Sequence, residues 1–177
     1  MKTHDIIYIA MGTALISICS WIIIPTAVPF TLQLFAIFLI TTLFGGKRSI
    51  ITVIVYILLG SIGIPVFSGF TGGIGILLSP LGGFIFGFIA IPLLVRCVEI
   101  LPLKSKYQVT AAMILGLFIC YACGVTFFLL SYHRLGTSIS LGKAVSTCVL
   151  PFIIPDILKL ALALFVGKRL RHHTYIK

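Results

Sequence analysis

Long apolar stretches separated by short polar turns dominate this sequence. Three stretches, Ile6–Gly46, Ser49–Val95 and Tyr107–Tyr132, contain no Asp, Glu, Lys or Arg. A helix needs roughly 20 apolar residues to cross a bilayer, so these stretches must cross repeatedly. We predict an all-α membrane protein, a single integral-membrane domain over residues 1–177, with six spans at about 6–24, 32–44, 49–62, 81–98, 109–132 and 144–167.

A glycine-rich segment separates the third and fourth predicted spans. It contains Gly72–Gly73 and Gly82–Gly83, carries no charge and keeps large apolar side chains such as Phe67 and Phe70. Irregular apolar backbone cannot face lipid with its amides unpaired, so it must cover protein or line a cavity. We predict a lid over a ligand site; a stretch that only packs helices together is the alternative.

Prolines punctuate two other places in the pattern. Pro25 and Pro29 predict a loop over residues 25–33, between the first and second spans. Spans 2 and 3 are short for a crossing, which suggests that the outer rim is built from bent backbone.

Composition supports a membrane protein. The chain is 60% hydrophobic and 9% charged, with a mean hydropathy of +1.26, which leaves too few polar residues to cover a soluble fold. The formal charge of +10 could suggest nucleic acid, but its distribution indicates topology instead. If both termini are in the cytoplasm, only Arg134 and Lys143 lie on the outer side of the membrane, and Lys159 lies within a span. The other ten basic residues lie on the cytoplasmic side: Lys2, Lys47, Arg48, Arg96, Lys104, Lys106, Lys168, Arg169, Arg171 and Lys177.

Five cysteines lie within or beside the apolar stretches. Cys120 and Cys123 have CxxC spacing, but they sit inside a predicted helix without a second ligand pair nearby. We interpret the cysteines as small packing residues and predict no metal site.

An acid and a base lie within the last span, in the run Pro151–Lys159. Asp156 is one of only three acidic residues in the chain. An ionisable group at bilayer depth costs at least ~2.5–3.5 kcal/mol, so it indicates a functional site. Asp156 and Lys159 are three residues apart on one helix face, where each lowers the other's desolvation cost. A purely structural ion pair is the alternative.

Small residues four apart mark the first span. Ala10 and Ala14 would let another helix approach closely in lipid. Packing against a neighbouring span of the same chain explains the spacing equally well.

Four motifs occur in order along the chain: Pro29–Gln33, Gly63–Phe67 followed by Gly72–Gly73, Ser79–Gly83, and Pro151–Lys159. Together they resemble the BioY family, the biotin-specific substrate-binding (S) components of energy-coupling-factor (ECF) transporters. The resemblance covers the chain from end to end. The chain departs from that family at Leu81 and Phe84, where Thr and Tyr are common, so these positions offer no hydroxyl.

The resemblance implies a membrane protein that captures biotin on the outer side of the cell membrane. It implies docking through Ala10 and Ala14 to a transmembrane coupling subunit that two ATPases drive. This chain has no Gly-Lys-Ser/Thr loop, so we expect no enzyme activity and no cofactor here. The substrate-binding residues expected on this resemblance are Asp156, Lys159, Gln33, Phe67, Gly72, Gly73, Ser79 and Tyr121.

Other functions remain open from the residues alone. An S component for thiamin or riboflavin keeps the fold but changes the ligand, and cationic thiamin would suit a site that has Asp156 without Lys159. A proton-coupled carrier or channel would use Asp156 as a relay. An intramembrane enzyme is disfavoured, because no paired acids and no nucleophile–base pair occur at depth.

Overall fold

A computed structural model describes residues 3–24, 30–101, 107–134, 136–137 and 139–173. Its helices are α1 (Thr3–Trp21), α2 (Gln33–Ser61), α3 (Ile74–Leu78), α4 (Gly82–Gly87), α5 (Ala90–Ile100), α6 (Gln108–Arg134), α7 (Leu141–Cys148) and α8 (Leu150–His173). The two-residue strands β1 (Ile23–Ile24) and β2 (Phe30–Thr31) pair antiparallel between α1 and α2. The predicted all-α class is confirmed. The short β-ribbon of β1 and β2 was not predicted.

Among the described residues, five helical stretches are long and apolar enough to cross a membrane: Thr3–Trp21, Gln33–Ser61, Gly82–Ile100, Gln108–Arg134 and Leu141–Leu170. α2 accounts for two crossings. A straight helix would hold Gln33 and Tyr56 about 35 Å apart, whereas Gln33 Nε2 lies 2.6 Å from Tyr56 Oη. α2 is therefore a helical hairpin with a first arm (residues 33–44) and a second arm (residues 46–61), so the five helical stretches contain six segments, the number of spans predicted.

Two glycines form the reversal of this hairpin. Gly45 has a φ of 78°, in the left-handed region that residues with a Cβ rarely adopt. At Gly46, an added Cβ would collide with the backbone of Arg96 in α5. The Gly46 N–H donates to Glu99 Oε1 at 2.9 Å, which satisfies a free amide at the start of the second arm. The turn is thereby fixed to α5.

α2 lies at the centre of the bundle and packs against α1, α5 and α8. Its side chains Phe38 and Tyr56 are fully buried. The outer faces of α1, α6 and α8 keep large apolar side chains exposed, among them Ile18, Phe118 and Phe165. Lipid does not drive such residues inward as water does, so this pattern fits a bundle surrounded by a bilayer.

Residues 62–81 form the glycine-rich connection to α4, which we call the lid loop. Val66 and Phe67 turn inward and are buried. The Phe67 ring lies against Gly60, where an added Cβ would overlap it. Five other apolar side chains of the lid loop are exposed: Ile62, Ile64, Phe70, Ile74 and Leu78. The lid loop thus has an inner, anchored part and an outer, exposed part that includes α3.

Two predicted spans needed correction. Span 4, predicted as continuous over residues 81–98, is divided into α4 and α5, and Pro92 lies in the first turn of α5. Span 6, predicted over residues 144–167, begins at Leu141 as α7 and continues as α8. Pro151 lies in the first turn of α8, where its missing N–H would have no helical partner anyway.

Some sequence-based predictions fall outside the described residues. These are the centre of the proline loop (residues 25–29) and four of the basic residues used for topology: Lys2, Lys104, Lys106 and Lys177.

The cysteines divide into two groups. Cys19, Cys120 and Cys148 are buried, as expected of packing residues, and none of the five forms a disulfide. Cys97 and Cys123 are exposed, so the packing interpretation was wrong for them. Cys120 and Cys123 lie on one helix, but only Cys120 faces the interior.

Candidate functional site

The first turns of α8 carry the buried acid–base pair. Lys159 Nζ lies 2.7 Å from Asp156 Oδ1, and the two residues are only 1% (Asp156) and 7% (Lys159) exposed. Pro155 lies inside α8 immediately before Asp156 and lacks the N–H that would continue the helical ladder. The pair is thus largely shielded from solvent, with opposite charges in direct contact.

Tyr121 of α6 forms a hydrogen bond to the second oxygen of the Asp156 carboxylate. Its hydroxyl donates to Asp156 Oδ2 at 2.6 Å, so each oxygen of Asp156 has one protein donor. Charge-assisted hydrogen bonds of this kind are the strong ones. We call Asp156, Lys159 and Tyr121 the polar cluster. Its members come from α6 and α8, so it fixes these two helices relative to each other.

An aromatic ring covers the ammonium group of Lys159. Lys159 Nζ lies 3.9 Å from the centroid of the Phe30 ring, within the distance of a cation–π contact. Phe30 belongs to β2 and stacks on Phe152 of α8, with ring centroids 6.1 Å apart. The small ribbon between α1 and α2 therefore contributes directly to the site.

Gln33 presents an amide to the same region from the start of α2. Its Oε1 accepts from Thr31 Oγ1 at 2.9 Å, and its Nε2 donates to Tyr56 Oη at 2.6 Å. These partners fix the orientation of the amide. One N–H and one oxygen lone pair are left for another partner.

These groups surround a cavity of about 270 Å³, near the lower end of the ~300–1,000 Å³ typical of ligand pockets. Six of the eight predicted binding residues line it: Gln33, Phe67, Ser79, Tyr121, Asp156 and Lys159. The structure brings these together from α2, the lid loop, α6 and α8. Their roles in binding stay predictions.

Gly72 and Gly73 are not among the lining residues. An added Cβ at Gly72 would meet the carbonyl of Ile64 within the lid loop, and Gly73 has a φ of 100°. Both glycines therefore serve the path of the lid loop backbone and do not form a wall of the cavity. The prediction did not separate these two uses of glycine.

Sequence reasoning missed most of the remaining wall. It is largely apolar, with three lining hydroxyls not selected from the sequence, and comprises Thr31, Leu34, Ser68, Thr71, Ile76, Leu81, Phe84, Ile85, Phe88, Cys120, Cys148 and Phe152. Phe84 and Phe88 are four residues apart near α4, a spacing that could have indicated a shared face. Nothing in the pattern distinguished them from lipid-facing residues.

Among the lining hydroxyls, Ser68 differs from the others. Thr31, Thr71, Ser79 and Tyr121 each donate to a protein acceptor. Ser68 Oγ is shielded from solvent and has no hydrogen-bond partner among the described residues. A buried hydroxyl without a partner is costly, so a ligand that supplies one would gain affinity there.

The predicted docking residues lie away from the cavity. Ala10 and Ala14 are on the exposed face of α1, while Gly12 and Thr13 on the opposite face are buried against α2. Internal packing therefore does not explain the Ala10–Ala14 spacing. Their docking role stays a prediction.

The polar cluster lies at one end of the cavity, which we call its pole, and the rest of the wall is largely apolar and aromatic. Asp156 can accept two further hydrogen bonds, and the Lys159 ammonium has further N–H donors. Their charges cancel, so the pole favours a neutral group that both donates and accepts. An anion placed beside the Asp156 carboxylate would be repelled, because like charges shielded from solvent interact strongly.

Comparisons with known proteins identify close relatives. The model of the BioY family matches residues 1–175. A protein of Thermotoga maritima named biotin transporter BioY is 39% identical over 173 residues, which cover 95% of this chain and 96% of that one. The probable biotin transporter BioY of Pyrococcus horikoshii is 34% identical over 175 residues, which cover 98% of this chain and 100% of that one.

A similar fold has been solved. A crystal structure of the S-component for biotin from an ECF-type ABC transporter has a TM-score of 0.81 and 26% identity to this chain. The match covers 97% of this chain and 95% of that one.

The polar cluster predicts a specific stability effect. Asp156→Asn leaves the Lys159 ammonium buried without its counter-charge, and we expect a loss of about 3–5 kcal/mol in the free energy of unfolding. Thermal denaturation in detergent would measure it as a large fall in Tm.

Asp5→Asn is the matched control. Asp5 also pairs with a cation at 2.7 Å, but the side chains of Arg48 and Asp5 are 31% and 23% exposed. We expect a loss of about 0–1 kcal/mol there. Equal, small losses in both variants would contradict the description of Asp156–Lys159 as a desolvated pair.

Proposed function

The chain belongs to the BioY family, and we propose that it captures biotin on the outer side of the cell membrane as the S component of an ECF-type uptake transporter. The observation that carries this proposal is the polar cluster at one pole of an otherwise apolar and aromatic cavity. Biotin has the matching distribution of groups. Its ureido ring is neutral and polar, its thiophane ring is apolar, and its valerate chain ends in an anion.

The ureido ring fits the polar cluster. Its two N–H groups can donate to the Asp156 carboxylate, and its carbonyl can accept from the Lys159 ammonium. Both partners are already positioned, because Tyr121 and Lys159 hold the carboxylate and Phe30 covers the ammonium. A preorganised site of this kind loses little entropy when the ligand binds.

The valerate then extends away from Asp156. Among the described lining residues, Asp156 and Lys159 are the only ones that carry charge, so no second cation is available for the carboxylate. Two uncharged donors remain for it among the described lining residues, the unpaired Ser68 hydroxyl of the lid loop and the second N–H of Gln33. Recognition therefore depends mainly on the ureido ring and less on the charge of the tail.

The alternatives are less well supported by this geometry. Thiamin would need a net negative pole, whereas Lys159 neutralises Asp156 at 2.7 Å. A proton relay would need a carboxylate that exchanges its proton readily. Both Asp156 oxygens are instead engaged by protein donors, Tyr121 and Lys159.

The cavity lies at the end of the bundle opposite the basic turn. Gln33 lines the cavity and begins the first arm of α2, whereas Gly45 lies at the other end of that arm. Lys47 and Arg48 follow directly after the Gly45–Gly46 turn. Positive residues favour the cytoplasmic side, which supports a cavity that faces outward and termini on the cytoplasmic side.

Transport needs further subunits. The exposed Ala10–Ala14 face of α1 is where a transmembrane coupling subunit would dock, because small residues allow close helix contact in lipid. Two ATPase subunits would supply the energy.

Calorimetry of the purified protein tests the ligand and its orientation. We expect biotin to bind without ATP with a Kd on the order of nanomolar, and thiamin and riboflavin not to bind. Biotin amide, which has a neutral tail, should bind within about tenfold of biotin. Biotin methylated on a ureido nitrogen should lose about 100-fold or more, because a paired polar group is then left without its partner.

A biotin Kd weaker than ~1 mM would exclude the assignment. If the tail amide costs more affinity than the ring methyl group, the ligand is oriented the other way round.

Large side chains introduced at Ala10 or Ala14 test the proposed docking face. Ala10→Trp or Ala14→Trp should leave biotin binding unchanged and abolish biotin uptake in cells that contain the coupling subunits, because the indole separates the two helices. Ala161→Trp, on the exposed face of α8, is the control and should keep both activities. Loss of binding together with uptake in the α1 variants would show that these alanines pack inside the protein.

A further inference from the structure

One carbonyl group joins the lid loop to two helices. The oxygen of Val66 accepts from Tyr56 Oη of the second arm of α2 at 3.1 Å. It also accepts from Ser20 Oγ of α1 at 2.6 Å, whose single hydrogen is shared with the Ser17 carbonyl at 2.7 Å. All three residues are buried. Both lone pairs of this carbonyl are therefore used, and the backbone of the lid loop is fastened at this point to α1 and α2 together.

Tyr56 also reaches the wall of the cavity. Its hydroxyl accepts from Gln33 Nε2 at 2.6 Å while it donates to Val66. Gln33 lines the cavity. A directional chain of hydrogen bonds thus runs from the cavity wall, through Tyr56, to the lid loop. Such chains strengthen cooperatively in a low-dielectric interior.

Packing follows the same path. Phe67, next to Val66, lines the cavity and is 1% exposed. Its ring meets the Tyr56 ring edge-on, with centroids 5.5 Å apart. If Val66 moved away from Tyr56, Phe67 would have to leave its place in the cavity wall.

We propose that Tyr56 is a positioning residue that holds the lid loop closed over the ligand by linking Gln33 to the Val66 carbonyl. This rests on the proposed biotin-binding function. A ligand that accepts a hydrogen bond from the free N–H of Gln33 strengthens the hydrogen bonds from Gln33 through Tyr56 to Val66, and so favours the closed lid loop. Tyr56 itself does not line the cavity, so it acts on the rate of escape and not on recognition.

The protein contains its own reporter of the lid loop. Trp21 is the only tryptophan in the chain. Its Nε1 donates to the carbonyl of Pro65 at 2.9 Å, and its ring stacks on Phe70 with centroids 4.7 Å apart. Because both partners belong to the lid loop, Trp21 emission reports the position of that loop with or without ligand.

The experiment compares Tyr56→Phe with wild type by stopped-flow binding of biotin and by Trp21 fluorescence. Removing the hydroxyl breaks both bonds of the chain but keeps the ring against Phe67. We expect biotin to dissociate about tenfold faster while its association rate changes by less than about twofold. Trp21 emission of the unliganded variant should shift to longer wavelength, because the stack on Phe70 loosens.

Two further variants keep the test decisive. Tyr132→Phe removes the same atom from a tyrosine that neither lines the cavity nor touches Val66, and it should match wild type. Ser20→Ala removes the other donor to Val66 and should also speed dissociation. It replaces Tyr56→Phe if that variant fails to fold.

The proposal is overturned if dissociation in Tyr56→Phe equals that of wild type, if association slows by the same factor, or if Tyr132→Phe has the same effect. If wild-type protein does not bind biotin, the proposed function fails, and unliganded Trp21 emission still decides whether Tyr56 holds the lid loop. An emission spectrum unchanged by Tyr56→Phe and by Ser20→Ala would refute that role.

Discussion

The cost of burying charge governs the functional end of this protein. The chain has three acidic residues, and each pairs with a base in the structure. Only the pair of Asp156 and Lys159 is removed from solvent almost completely. Only there must every remaining hydrogen-bond donor and acceptor be satisfied within the protein or by a ligand. Tyr121, Phe30 and the path of α8 around Pro155 follow from that requirement, and they produce a rigid and electrically balanced pole.

The same constraint shapes the lid loop. Irregular backbone at membrane depth exposes amides and carbonyls that lipid cannot pair. The carbonyls of Pro65 and Val66 are met by side chains of α1 and α2, and Phe67 fills the space left by Gly60. The loop is thereby attached to the helices that form the cavity, so ligand capture and the position of the loop are physically connected.

The sequence predicted the fold and the charged centre well, for physical reasons. Apolar runs interrupted by basic turns define crossings, and Asp156 and Lys159 are conspicuous because a charge in such a run is expensive. Tyr56 and Phe30 were not predicted, because their contacts join residues far apart in sequence or across a ribbon that no pattern indicated. Gly72 and Gly73 do not line the cavity, and the pattern could not indicate this because glycine serves backbone turns and ligand walls alike. Spans 4 and 6 are each divided into two helices, and the second helix of each has a proline, Pro92 or Pro151, in its first turn, where proline is tolerated.

The most direct test separates stability from recognition at the polar cluster. The triple variant Asp156→Leu/Lys159→Met/Tyr121→Phe replaces every member with an apolar residue of similar size, so no buried charge or hydroxyl of the cluster is left unpaired. We predict that it unfolds at the wild-type temperature or above, since such replacements are often neutral or stabilising. Calorimetry should find no biotin binding tighter than ~1 mM. A folded triple variant that binds biotin with wild-type affinity would contradict the assignment of the polar cluster as the biotin site.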